Sequence, residues 1–422
     1  MHNKEPNMRL ELAYIIVEDV VFGTQTALKD RILTIDREAL LAAVDPEGFF
    51  VEKRATLVKP GQSARIIRIM DAMQPRCKVS GGTNPYPGAI GDMHMAGQGR
   101  THVLDGVCIM QTGTRQGIQE GIVDMSGPGA AYSLFSRQCN VVLECLPPPD
   151  VSDAVFDEAT RRALARAALY LGETAREAAP ESVSVFDAGR PVDPALPKVA
   201  YIYYLQSQGP LRNTYVYGLE ARSLLPTLLH PNEVLDGAIV SGNYIIACQK
   251  NPSFLHANNP VVRELYARHG VNCNFAGVIV ANENSTLTDK KRSADFAAKL
   301  AQQLGAQGVV LTQEGGGHAD TDLMLAAKAC KERGISSVML INELAGANGD
   351  QPSLVDTAPE AVAVISTGNN DQVISLPAVE LLCGGTGLTN VPDASAAFST
   401  ALGRMYTATC QLGAYALRAG ER

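Results

Sequence analysis

Apolar and polar positions change their spacing along the chain. In the first 150 residues, Arg9–Val17, Arg31–Ile35, Ala64–Met70 and His102–Gln111 are short β-rich runs. They are parted by Gly- and Pro-rich turns such as Ser80–Pro85 and Met125–Gly129. Runs of this length and composition between turn residues predict strands. Ser152–Ala178 then carries apolar residues at helical spacing (Val155, Leu164, Ala168, Leu171), with Ser152 or Asp153 positioned as cap. Glu181–Pro197 is Pro-rich and reads as a linker.

From Lys198 onward the pattern becomes short apolar strands alternating with helices. The strands expected are Val199–Leu205, Gly237–Val240, Tyr244–Cys248, Ala276–Ala281, Gly308–Thr312, Ser337–Ile341 and Ala361–Ser366. The helices expected are Pro260–His269, Asp289–Leu304 and Asp322–Arg333. Such alternation predicts a mostly parallel, doubly wound α/β sheet, with ligands bound outside the carboxyl ends of its strands. The reading is therefore an α/β protein: a β-rich domain over 1–150, a helix and linker over 151–197, and an α/β domain over 198–422.

Composition narrows the function classes. At 422 residues and 46% apolar content the chain can bury a substantial core. A net charge of −8, 5% aromatics and no Trp argue against a nucleic-acid surface. No apolar run is long enough to span a bilayer, and Met1–Leu10 has no signal-like apolar core, so a cytoplasmic protein is expected. Nine cysteines stand singly, without the paired spacing of a zinc or redox motif, so no metal is expected. Phosphate-loop, dinucleotide, nucleophile-elbow and HExxH motifs are all missing.

Three polar loops follow expected strands. Ser241–Pro252 (SGNYIIACQKNP) sets Cys248 and Lys250 at a strand end. Cys248 suits covalent chemistry, although a buried core thiol is the commoner role for such a cysteine. Thr312–Asp322 (TQEGGGHADTD) opens a helix after three glycines. There Glu314, His318 and Asp320 could bind a ligand, or Asp320 could simply cap the helix. Asn282 and Glu283, in Asn282–Thr286, suit a binding rim and equally a helix N-terminus. Phe254–Pro260 places His256 and two asparagines near Cys248, where turn formation and capping explain the asparagines.

Beyond single motifs, the chain resembles the α/β-subunit precursors of component B of glycine, sarcosine and betaine reductases, and more distantly the D-proline reductase proprotein. The resemblance rests on ordered runs along the whole length. They include Met8–Leu12, Gly99–Leu104, Asp124–Ala130, Asn213–Gly218, His230–Val234 and Asp236–Asn243. Ala247–Cys248, Asn258–Pro260, Glu264–Tyr266, Arg268–Gly270, Asn282–Asn284, Asp320–Leu323 and Ser366–Asn369 complete them. The resemblance implies a precursor that cuts itself before a cysteine, which becomes an N-terminal pyruvoyl group serving as the cofactor. On this sequence that places the scission between Ala247 and Cys248, with Asn243 in the cleavage neighbourhood, although Tyr244 stands where some relatives carry a cysteine.

The resemblance further implies that the ketone condenses with the amino group of a small substrate, priming its C–N bond for reductive cleavage. The nucleophile would come from a selenol- or thiol-bearing γ subunit, and a carrier, component A, would take the product, making a hetero-oligomer. Asn282, Glu283, Glu314, His318 and Asp320 are the candidate substrate-binding residues. The loop Glu314–Asp320 departs from the family pattern at three positions, which puts glycine itself in doubt as the substrate. Two other readings remain open: an uncleaved α/β binding or scaffold protein, and an enzyme using Cys248 as a thiol.

Overall fold

Lys198–Leu205 (KVAYIYYL) is the strand around which the second half is built, and from Ala200 on every side chain in it is buried. In the computed structural model, which describes residues 8–114, 120–190, 192–208, 213–242, 246–354, 356–357 and 359–413, it lies inside a six-stranded sheet. The order is Thr227–Leu229, Asn274–Asn282, Lys198–Leu205, Gly308–Thr312, Ser336–Glu343, Ala363–Asn369. All neighbours pair in parallel except the first strand, which is antiparallel. Burial on both faces is why the central strands Asn274–Asn282 and Lys198–Leu205 read as continuous apolar runs.

The two faces take different partners. Ala200, Ile202 and Tyr204 pack against helices Leu287–Gln303 and Asp320–Glu332. Those helices present Ala294, Ala297, Ala298, Ala301, Ala326 and Ala327 to the interface, so they can approach closely. Tyr201, Tyr203 and Leu205 share a core with helices Ser253–Ala257 and Pro260–Arg268. The latter helix starts where expected: Asn259 Oδ1 accepts from the N–H of Val261 (3.0 Å) and Val262 (3.1 Å), and Pro260 takes the first turn.

The first half holds two main sheets. One has the order Ser182–Asp187, Arg9–Ile16, Gly99–Asp105, Arg76–Ser80. The other has the order Gly121–Asp124, Ala64–Met73, Val107–Thr112, Cys139–Leu146, Glu52–Val58, with Leu381–Cys383 added parallel to Ala64–Met73. Helix Asp153–Gly172 packs on them, with the expected Ser152 cap.

Three local expectations are corrected. The single run His102–Gln111 is two strands in different sheets, broken at Gly106 (φ 97°), where a Cβ would meet Val17 O at 2.2 Å. Glu181–Pro197 is not only linker, because Ser182–Asp187 completes a sheet against Arg9–Ile16. Ala247–Gln249 forms a 3-10 turn rather than a strand end, and residues 243–245 lie outside the described residues. Among the described residues, no helix is long and apolar enough to cross a membrane, and no group of three or more metal-ligating side chains is present.

The parallel sheet ends at Asn369, and the chain returns to the first half. Arg65, wholly buried, ties this return down. Its Nε and NH2 reach Asp124 at 2.6 and 2.8 Å, while NH1 and NH2 donate to the carbonyls of Ala394 (2.7 Å) and Pro377 (2.8 Å). Leu10, Ile66 and Phe135 also share one apolar cluster with Tyr201, Tyr203 and Cys410. Arg65→Met strands the Asp124 carboxylate in the interior, which costs about 3–5 kcal/mol. Denaturant unfolding should register a loss of that size, and an unchanged midpoint would refute the assignment.

Candidate functional site

Parallel strands bring their carboxyl ends to one edge. Lys198–Leu205, Asn274–Asn282 and Gly308–Thr312 therefore deliver Gln206–Gln208, Glu283 and Gln313–Glu314 side by side, all buried. Glu314 Oε2 accepts from the Gln206 N–H (2.9 Å) and the Thr214 hydroxyl, and its Oε1 lies 3.4 Å from His256 Nε2. The other ring nitrogen of His256 meets the Tyr203 hydroxyl at 2.9 Å, and Asn251 Nδ2 donates to that hydroxyl at 3.0 Å. Asn251 Oδ1 in turn accepts from the Cys410 thiol at 2.7 Å. A continuous polar path thus runs from Glu314 to the segment after Cys248.

Glu283 and His318 form a second arm. Glu283 is fully buried; its Oε2 accepts from Gln208 Nε2 at 3.0 Å, and its Oε1 has no hydrogen-bond partner. Burial, with Asp322 and Glu314 close by, raises its pKa well above the usual carboxylate range. That shift favours the neutral carboxyl, the form that can donate a proton. Gln208 Oε1 meets His318 Nδ1 at 2.6 Å. Burial, and then Lys290, lower the imidazole's affinity for a proton, so His318 is neutral and gives its Nδ1 proton to the amide. Asp322 is pushed up to about 6 by burial, against the pull of its partner Lys290.

The other two predicted residues have supporting roles here. Asp320 accepts from Gln313 Nε2 at 2.6 Å, and the helix it begins has no side-chain cap, so the capping reading of Asp320 does not hold. Asn282 is turned toward the next helix, with its Oδ1 accepting from Ser293 Oγ at 3.1 Å.

Segment 247–251 crosses behind these loops. Cys248, Gln249, Lys250 and Asn251 are each fully shut off from solvent. The Cys248 thiol donates to Asn370 Oδ1 at 3.0 Å, and burial pushes it up to about 12. The carbonyl of Ala247 accepts from the N–H of Thr407 (2.9 Å) and of Lys250 (3.4 Å). Thr407 holds φ 67°, a costly conformation for a β-branched residue. Just upstream, Gly242 passes so close to Asn213 that a Cβ would lie 1.3 Å from its carbonyl oxygen, so only glycine fits. Asn243 lies outside the described residues.

Sequence reasoning put Cys248, Glu283, Glu314 and His318 at strand ends; Glu283 and His318 share Gln208 and Glu314 holds the nearby Gln206 N–H, whereas Cys248 lies in a 3-10 turn against Asn370. It gave no role to Lys250, although the residue stands two places from Cys248, and it explained the residues around His256 as turn chemistry. Asn370, Thr407 and Gln411 arrive from more than a hundred residues away and carry no local signal.

The comparisons with known proteins fit this geometry. The family of glycine/sarcosine/betaine reductase component B subunits matches residues 8–413, and the chain belongs to that family. It is 41% identical over 383 residues to the glycine reductase complex component B subunits alpha and beta of Acetoanaerobium sticklandii, covering 89% of each chain. The protein of the same name from Peptoclostridium acidaminophilum is 42% identical over 382 residues, again with 89% of each covered. The D-proline reductase proprotein of Acetoanaerobium sticklandii is a distant relative, 22% identical over 78% of this chain and 54% of its own length. No solved structure matches the chain.

Burial holds the Lys250 ammonium down to about 8, outweighing attraction by Asp71, Glu314 and Asp157. The folded protein bears that burden fully below pH 8, and sheds it as pH rises toward 10.5, where the unfolded lysine also deprotonates. Lys250→Met should therefore stabilise the protein by about 3 kcal/mol at pH 7, and the gain should shrink with rising pH. Denaturant unfolding at several pH values checks this; a difference that does not change with pH contradicts it.

Proposed function

We propose that the chain is the precursor of a component B-type reductase subunit that cuts itself between Ala247 and Cys248 and converts residue 248 into a pyruvoyl group. Its action is the reductive cleavage of a C–N bond in a small amino compound, within a complex that includes a selenol- or thiol-bearing γ subunit and carrier component A. When formed, the pyruvoyl group supplies the electrophilic carbonyl that engages the substrate's amine.

The observation that carries this reading is the pair of N–H donors, from Thr407 and Lys250, on the carbonyl oxygen of Ala247. They stabilise the negative charge that appears there when a thiol adds to the carbon. The sulfur–carbon bond forms, the Ala247–Cys248 amide bond breaks, and a thioester remains. Elimination of the thiocarboxylate leaves dehydroalanine, and its hydrolysis releases ammonia and a ketoacyl end. The strained Thr407 backbone is a device suited to such a position. Relatives' names lend support as well: the glycine reductase chains are named as two subunits, alpha and beta, and the D-proline reductase relative as a proprotein.

Around the substrate, Glu283 offers a neutral carboxyl and His318 a neutral imidazole. Glu314 has its Oε2 taken by Gln206 and Thr214, while its Oε1 faces His256, whose other nitrogen meets Tyr203. Asp320 and Asn282 hold the Gln313 and Ser293 ends of the same rim. Asn243 belongs to the proposed scission neighbourhood.

Intact-mass spectrometry tests the reading. Scission gives fragments of roughly 26 and 19 kDa, in proportion to the lengths of 1–247 and 248–422. The smaller one should be blocked to N-terminal sequencing, and Cys248→Ala should stay whole. With the thiol held up to about 12, ionisation at neutral pH costs about 7 kcal/mol, and scission should speed up about tenfold per pH unit between 7 and 9. An active complex whose chain still has its full mass of 44.8 kDa would overturn the proposal and leave a full-length, uncut subunit.

A further inference from the structure

Three lysines are buried among the described residues: Lys78, Lys250 and Lys290. Two are fully paired. Lys78 Nζ donates to Asp236, to the Gln98 carbonyl (2.7 Å) and to Thr101 Oγ1 (3.1 Å). Lys290 Nζ donates to Asp322 and to the His318 carbonyl (3.0 Å). Lys250 Nζ has no hydrogen-bond partner. Its neighbour Gln249 is as deeply buried, and neither atom of its amide has a partner. Buried groups left unsatisfied call for an explanation, a bound water, ion or ligand among them.

Three carboxylates attract Lys250 without hydrogen-bonding its Nζ. Asp71 accepts from Ala72 N (2.8 Å), Ser253 N (3.0 Å) and Ser253 Oγ (2.6 Å). Glu314 serves Gln206, Thr214 and His256. Asp157, on the Asp153–Gly172 helix, adds a third negative influence. The group is therefore left without a hydrogen-bond partner in an acidic field, and its unprotonated fraction carries a free lone pair. That field favours a reaction whose product is a cation and disfavours an anionic ligand.

We propose that the Lys250 amine is a covalent capture site for a small neutral carbonyl compound, an aldehyde or ketone. The nitrogen adds to the carbonyl carbon, a proton is taken up, and water leaves. The product is a protonated imine, a cation that Asp71, Glu314 and Asp157 attract as they attract the ammonium. Burial that keeps the amine partly unprotonated near neutral pH is the usual way to make a lysine nucleophilic. This goes beyond the scission reading and does not require it, since residue 250 is present whether or not the chain is cut before Cys248.

The test uses the full chain with limiting acetaldehyde and sodium cyanoborohydride near pH 7, followed by peptide mapping. The expected result is ethylation of Lys250 ahead of the exposed Lys29 and Lys291. The free-amine fraction of a group lowered from 10.5 to about 8 is larger by on the order of a hundredfold. Pyruvate in place of acetaldehyde should label Lys250 at least tenfold less, and Lys250→Arg should lose the label while keeping the fold by circular dichroism. Labelling of Lys29 and Lys291 with Lys250 untouched overturns the proposal, and preference for pyruvate overturns the neutral class of ligand. Fragment masses from the same sample report scission separately.

Discussion

A run of four side chains, Cys248 to Asn251, is sealed from water where the parallel sheet meets the first half of the molecule. Buried polar groups must find partners or be held at a cost, and the surrounding architecture answers that demand residue by residue. Asn370 takes the Cys248 thiol, Tyr203 and Cys410 take the Asn251 amide, and Gln411 bridges Asn342 and the Gly315 carbonyl. Two of the three partners named for the run, Asn370 and Cys410, come from the stretch after the last strand of the parallel sheet, which returns across the molecule. The buried Arg65 clamp anchors the route by which it returns. The groups left unmatched, the Gln249 amide and the Lys250 amine, lie inside this same run.

Burial also sets the electrical character of the site. It raises Glu283, Asp322 and Asp71, and it lowers Lys250 and His318, so each group moves toward its neutral form. An interior that neutralises both acids and bases presents proton donors and acceptors in place of fixed charges. Such a setting suits chemistry at C–N and C=O bonds, where protons must be given and taken at neutral pH. The Ala247 carbonyl, with two backbone donors on its oxygen, is a polarised point within it.

Legibility in the sequence followed the range of the forces involved. The strands Gly308–Thr312 and Lys198–Leu205 could be read almost to the residue, because local apolar content and flanking turns specify them. Helix Pro260–Arg268 was announced by Asn259 and Pro260. The His102–Gln111 run misled because its apolar content hides a break that depends on Val17 pressing against Gly106. Glu283, Glu314 and His318 were visible because a polar loop after a parallel strand has only one edge of the sheet to occupy.

By itself, then, the sequence determined the alternating α/β order, the family, and the loops that end together at one edge of the sheet, since these follow from local pattern and ordered motifs. Only the tertiary structure decided that Cys248 sits in a 3-10 turn against Asn370, that Thr407 donates to the Ala247 carbonyl, and that Lys250, alone among the buried lysines of the described residues, lacks a hydrogen-bond partner. Those facts depend on contacts between residues far apart in the chain. Burial and pairing are properties of the packed whole, which no local stretch of residues encodes.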